Sequence, residues 1–159
     1  MTALKYVTGL FAIFMLMLFP VKIKVADICE DSVDRVEAYV SSFADEVSAE
    51  KKIDMAGVEK LAGLLAVEPD IFDLRITVAI KHLVPGGGSY SVGIDHDEIT
   101  DILEREGQLS LSEGDSLYID VSVVEPSVFS RMAGRYKNER ERKAGKISIG
   151  RRIRWEKLR

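Results

Sequence analysis

From Tyr6 to Val21 the chain carries no charged side chain, and Thr8 supplies the only polar one. An all-round apolar stretch has no face to show to water, so it predicts a helix placed in lipid rather than on a domain surface. The sixteen residues would span about 24 Å as a helix, short of a hydrocarbon core of about 30 Å. Ala3 and Leu4 lengthen the run, and Lys5 and Lys22 can snorkel toward the headgroups. Residues 1–22 are therefore expected to form a transmembrane anchor, with Leu10, Phe11, Ile13, Phe14, Leu16, Leu18 and Phe19 as its membrane-facing side chains.

Beyond Pro20 the pattern becomes amphipathic. Ile28, Val33, Val36, Val40, Phe43 and Val47 recur at spacings that keep them on one helical face, and Glu30, Asp31, Asp34, Glu37, Ser41, Asp45 and Glu46 fill the other. The anchor is expected to continue as one helix to about Ser48, with Val33, Val36, Val40, Phe43 and Val47 as its packing face. Pro20, which lacks an N–H and crowds the preceding turn, predicts a kink or local melting near the membrane surface. The acidic side reads as a solvated face, or as one that contacts a basic partner or the chain's own tail.

Asp54 is a good N-cap for a second helix, Met55 to Ala66, with Met55, Val58, Leu61, Ala62 and Leu65 as its apolar stripe. The period then changes to two: Leu74, Ile76, Val78 and Ile80 alternate with polar or small residues, which predicts a half-buried strand. Pro85 to Ser89 reads as a flexible loop. It lacks the Gly-Lys-Ser/Thr ending and the following helix of a phosphate-binding loop. A helix is expected from Asp95 or Asp97 to Gly107, with Ile99, Ile102 and Leu103 inward. After the turn Glu113-Gly114-Asp115, Ser116 to Val124 has the clearest strand pattern of the chain.

The last thirty residues combine charge with alternation. Val128 to about Arg142 reads as a short basic helix or an arm, and Ile147, Ile149, Ile153 and Trp155 share a parity that predicts a final strand. The fold class that follows is α+β: a long N-terminal membrane-anchored helix packed on a small antiparallel sheet with two short helices. The expected segments are the anchor at 1–22, an amphipathic extension at 23–48, a globular domain at 49–126 and a basic C-terminal segment at 127–159.

Charge sharpens this division. Residues 1–130 carry 10 Lys and Arg against 23 Asp and Glu, a net of −13, whereas residues 131–159 carry 12 against 3, a net of +9. The two parts should attract, and Arg151, Arg152 and Arg154 are candidates for an electrostatic interface with anionic lipid, an anionic polymer or an acidic subunit. Nucleic acid is disfavoured by the overall acidity and the lack of a binding module. Lys5 and the amino terminus balance Lys22 and Lys24, so charge does not orient the span.

The single cysteine, Cys29, excludes an internal disulfide and reads as a small packing residue, with palmitoylation or an intermolecular bridge as alternatives. A cleaved signal would place Lys24 where a small residue is wanted, and Ala26-Asp27-Ile28 precede Cys29 where lipid attachment would require small residues.

Candidate chemistry is sparse. His82 and His96 are not helically paired, Asp95-His96-Asp97-Glu98 lacks the ligand spacing of a calcium loop, and no serine sits in a nucleophile elbow. No enzyme activity, cofactor or metal is expected.

The order of elements resembles the type IV pilin-like architecture, and more narrowly the minor pseudopilin-like proteins of tight-adherence (Flp-type) pilus systems. The likeness lies in Phe43-Ala44-Asp45-Glu46-Val47 ending the long helix, the helix at Met55 to Leu65, the strand Leu74 to His82, Asp97 to Leu103, and Leu111 to Val121. The chain lacks the Gly-Phe-Thr-Leu-Ile-Glu processing site and an acidic residue within the apolar run. The resemblance implies a cytoplasmic N-terminus, an extracytoplasmic domain and a non-enzymatic role in assembling or anchoring a filament. Its implied partners are membrane lipid and other pilin-like or envelope-machine subunits, as a homo- or hetero-oligomer. The competing expectation is a bitopic adaptor of a secretion or conjugation apparatus that enters no filament.

Overall fold

The computed structural model describes residues 2–84, 88–135 and 146–154. Helix α1 (Thr2–Glu50) is continuous and passes through Pro20. The melting expected there does not occur. An interior proline costs about 3 kcal/mol, whereas interrupting the helix would unpair several backbone groups at once. The helix outruns the expected stop at Ser48 and ends where Lys51 turns left-handed at φ 57°, its N–H donating to the Val47 carbonyl at 2.8 Å. The Lys51 carbonyl then accepts the Leu111 N–H at 2.8 Å, so the helix end is tied to the globular body.

The remaining elements are β1 (Lys52–Asp54), α2 (Met55–Ala66), β2 (Ile71–Val84), β3 (Gly88–Ile94), α3 (His96–Glu106), β4 (Gln108–Ser110), β5 (Ser116–Glu125), α4 (Val128–Met132) and β6 (Ile147–Arg152). Both middle helices start as their sequences dictate. The Asp54 carboxylate accepts the Gly57 N–H at 2.7 Å, and the Asp95 carboxylate accepts that of Glu98 at 3.1 Å. Gly107 closes α3 at φ 76°. The basic helix expected from Val128 is only the five residues of α4. The helix stops there, with Gly134 left-handed at φ 79°, and residues 136–142, the Pro85–Gly87 tip and Trp155 lie outside the described residues.

The main sheet is antiparallel in the order β3-β2-β5-β6, and β1 with β4 forms a separate two-stranded ribbon. The helices cover one face of the sheet, α1 over β5 and β6, and α2 and α3 over β2. Alternation fixes the register. Ile76 opposes Ile119 and Ile119 opposes Ile149 on the covered face, while Arg75 opposes Asp120 and Tyr118 opposes Gly150 on the open one. Into the core α1 sends Val36, Val40, Phe43, Ala44 and Val47, which meet Ile76, Val78, Leu117, Ile119 and Val121 from the sheet. The final strand expected in residues 127–159 is β6, which completes this sheet beside β5.

Two details differ from the expected burial. Ile28 is exposed, and Val25, Cys29 and Ser32 take the inward positions on α1. Ala62 of α2 is exposed as well.

The turn before β5 contains a buried carboxylate. Asp115 is 2% exposed and accepts the Lys81 N–H at 2.8 Å and the Ser112 N–H at 2.7 Å. Its backbone carbonyl also accepts the Ile153 N–H at 2.9 Å, so one residue joins β2, the turn and the end of β6. On the open face, burial works against ionisation of Asp120. Hydrogen bonds from Ser148 and Lys146 outweigh it and hold the carboxyl below its usual range.

Lys51 sits where glycine normally ends a helix, and a side chain with a Cβ costs about 1–2 kcal/mol in that conformation. Replacing it, Lys51→Gly, is expected to raise the unfolding free energy by about 0.5–1 kcal/mol, after allowance for the greater backbone freedom of unfolded glycine. Thermal unfolding of the full chain in detergent, followed by circular dichroism, measures the change.

Candidate functional site

The largest functional feature is the first half of α1. Leu10, Phe11, Ile13, Phe14, Leu16, Leu18 and Phe19 expose between 44% and 73% of their surface. A core helix would be covered by the rest of its own chain; this one is bare. It is the one helix among the described residues that is long and apolar enough to cross a membrane, and it lies near the N-terminus.

Where the bare half gives way to the packed half, a seam of polar contacts joins α1 to the body. Arg35 grips Glu68 with both ends of its guanidinium, Nε to Oε1 at 2.9 Å and Nη2 to Oε2 at 2.8 Å. Ser32 donates to Glu68 Oε2 at 2.6 Å. Only 4% of the Glu68 side chain is exposed. The Arg35 hydrogen bonds hold its carboxyl below the usual range; burial opposes them and the Ser32 bond adds to them.

One turn nearer the anchor, Asp70 accepts the Ser127 N–H at 2.7 Å and the Ser130 hydroxyl, 2.8 Å from each carboxylate oxygen. Ser130 Oγ in turn lies 3.6 Å from Cys29 Sγ. Since the serine proton is engaged by the carboxylate, the thiol is the donor in that contact. Arg135 closes the group by donating to the Cys29 carbonyl at 3.3 Å. Cys29, Asp70 and Ser130 are 5%, 6% and 2% exposed, so the aligned thiol, hydroxyl and carboxylate hold α4 against α1 rather than facing a substrate.

The packing face lies as follows: Val36, Val40, Phe43 and Val47 are buried and Val33 is half-buried. The basic triplet is not brought to one surface. Arg151 takes the helix-facing parity of β6 and binds Asp45 at 3.0 Å and Ser41 at 3.3 Å. Arg152 has the opposite parity, Arg154 lies past the strand end, and both are exposed. The attraction between the basic tail and the acidic side of α1 is thus used within the chain, at Arg151. An exposed pair of this kind contributes about 0.2–1 kcal/mol.

A small cleft of about 60 Å³ lies between α1 and α2, lined by residues including Tyr39, Phe43, Lys60, Leu61 and Leu64. A Cβ at Gly57 would stand 3.2 Å from the Phe43 ring and 3.0 Å from Asp54 Oδ1, so the glycine permits the close approach of the two helices. Among the described residues, no group of three or more His, Cys, Asp or Glu side chains is placed to hold a metal ion. His96 has a structural use: its Nδ1 accepts the Ile76 N–H at 3.3 Å, beyond the last paired residue of β3.

The seam was not foreseen from sequence. Glu68 and Asp70 flank Pro69 and read as the end of a helix, and their partners lie 33 to 60 positions away. The chain matches no family model, no curated protein and no solved structure.

Two outcomes follow for the seam. Because the folded Glu68 carboxyl titrates below its unfolded value, its contribution is present above the ordinary glutamate range and is lost as pH falls below about 4.3. Glu68→Gln should therefore lower the melting temperature at neutral pH, with the difference from wild type closing on acidification in the same detergent. Asp70→Ala leaves the Ser127 N–H and Ser130 without their acceptor. It is expected to cost about 1–3 kcal/mol and to speed maleimide labelling of Cys29, which in the folded wild-type chain should react slowly.

Proposed function

We propose that this chain is a single-pass membrane protein with a structural or assembly role and no catalytic chemistry, working as a minor pseudopilin-like subunit of a type IV/Flp-like pilus system. Its N-terminus lies in the cytoplasm and its α+β body outside the membrane. The observation that carries this reading is the division of α1: one uninterrupted helix, bare and apolar at one end and part of a domain core at the other. Such a helix fixes the body rigidly to its anchor, and bare apolar helices can bundle with those of neighbouring subunits while the bodies make lateral contacts. The isolation of the buried Cys29-Ser130-Asp70 group favours a holding role over catalysis.

A bitopic adaptor of a secretion or conjugation apparatus is the second reading. The apolar run Tyr6–Val21, which holds no acidic residue, favours it. The two divide on fractionation. A pilus subunit is expected in membranes and, in part, in sheared filaments, whereas an adaptor stays wholly in membranes. Full-length protein that remains in the supernatant after detergent-free ultracentrifugation would overturn both. Topology is best read by protease protection, since Cys29 is buried and a poor labelling site. Phe14→Asp places a charge near the middle of the apolar run at a cost of about 2.5–3.5 kcal/mol for insertion, and should shift protein from the carbonate-resistant membrane fraction to the soluble or aggregated one.

A further inference from the structure

Helix α4 has its polarity inverted for a helix on a wetted surface. Its serine, Ser130, is buried against Cys29 and Asp70, whereas Val128, Phe129 and Met132 are 66%, 49% and 54% exposed. The surface continues onto Val67, Ile71 and Val124, which are 84%, 57% and 55% exposed. These segments are held side by side, for Asp70 binds both Ser127 and Ser130, and Ile71 pairs with Glu125. Single exposed apolar residues are ordinary; six gathered at one end of a small body mark a surface that meets something apolar.

Position says what that is. α4 lies against α1 at Cys29, six residues or about 9 Å along the helix from Ile23, the last bare apolar side chain before the buried Val25. Val25 is buried one turn nearer the anchor on the same side of α1, so the cover over the helix begins about 3 Å past Ile23. The headgroup layer on one side of a bilayer is about 5–8 Å thick. β2 starts and β5 finishes at this end of the sheet, which puts the six side chains on the anchor side of the body. Arg131 stands among them with 60% of its side chain exposed, donating to the Pro126 carbonyl at 3.1 Å and 3.6 Å from Glu125.

We propose that this end of the domain rests in the headgroup layer of the membrane that α1 crosses, with lipid covering α4 and the adjoining Val67, Ile71 and Val124. The inference depends on α1 being a membrane anchor, and adds that the body lies down on the bilayer instead of standing clear of it. The contact fixes the tilt of anchor and body together in the bilayer, using an apolar surface that would otherwise face water.

Spin labels at Met132→Cys and, separately, Val128→Cys test it in the full-length chain, reconstituted at one copy per nanodisc of phosphatidylcholine and phosphatidylglycerol. Both positions are exposed, and buried Cys29 stays unlabelled in the folded protein. Collision with oxygen, which concentrates in lipid, is compared with collision with a water-soluble nickel chelate. Phe14→Cys serves as the reference inside the anchor and Tyr118→Cys as the reference on the open sheet face. The expected result is an oxygen-to-nickel ratio at 128 and 132 well above that at 118 and below that at 14. A ratio at 128 and 132 equal to that at 118, with 14 still lipid-like, overturns the inference and leaves the anchor standing. Low collision with both reagents means that protein covers the surface, which also overturns it. A water-like ratio at 14 removes the anchor and the inference together.

Discussion

One helix has to satisfy two solvents. From Tyr6 to Val21 its side chains carry no charge on any side, as a lipid environment demands; from Val25 on, the buried apolar side chains lie on the one stripe that meets the body. The helix continues through the change, past Pro20 with its missing N–H, so the two halves are mechanically one object. The body is consequently built around a rod that extends beyond it. Everything on the covered face of the sheet is arranged to receive one side of that rod, with α2 and α3 filling the space that it leaves over β2.

Apolar packing of this kind has little directional specificity, and a helix with Val36, Val40 and Val47 in its stripe could slide or rotate against a sheet of isoleucines and valines. The polar contacts remove that freedom. Glu68 accepts from Ser32 and Arg35, one turn apart; Asp70 places Ser130 against Cys29; Arg151 reaches Asp45 from the only basic position on the helix-facing side of β6. The second group is shielded from water, and in the first the Glu68 side chain is covered while Arg35 stays half exposed; both carboxylates have partners, the condition under which burying a charge is tolerated.

How much of this could be read beforehand depends on how local the signal was. The alternation of Leu74 to Ile80 and of Leu117 to Val123, and the caps at Asp54, Asp95 and Gly107, act over a few residues; they identified β5, α2 and α3 nearly to their ends and the middle of β2. β3 went unseen because six of its seven residues are exposed and it is rich in glycine and serine, so it has no buried face to leave a pattern. β1 and β4 are three residues each, too short to show a period. In the proximal part of α1, Cys29 and Ser32 take the inward positions because Ser130 and Glu68 meet them, and nothing near residue 29 announces partners that distant. For the same reason three arginines close in sequence seemed one surface until strand parity separated Arg151 from Arg152.

The arrangement of cross-links along α1 has a mechanical consequence. Contacts at Cys29, at Ser32 and Arg35, at Ser41 and Asp45, and at the Lys51 carbonyl join the rod to the body over about 33 Å of its length. A pull on the rod along its axis would load these links in shear, all together, and not peel them apart in succession. Detachment would need many bonds to fail at once, so traction between membrane and body is borne by the whole joint.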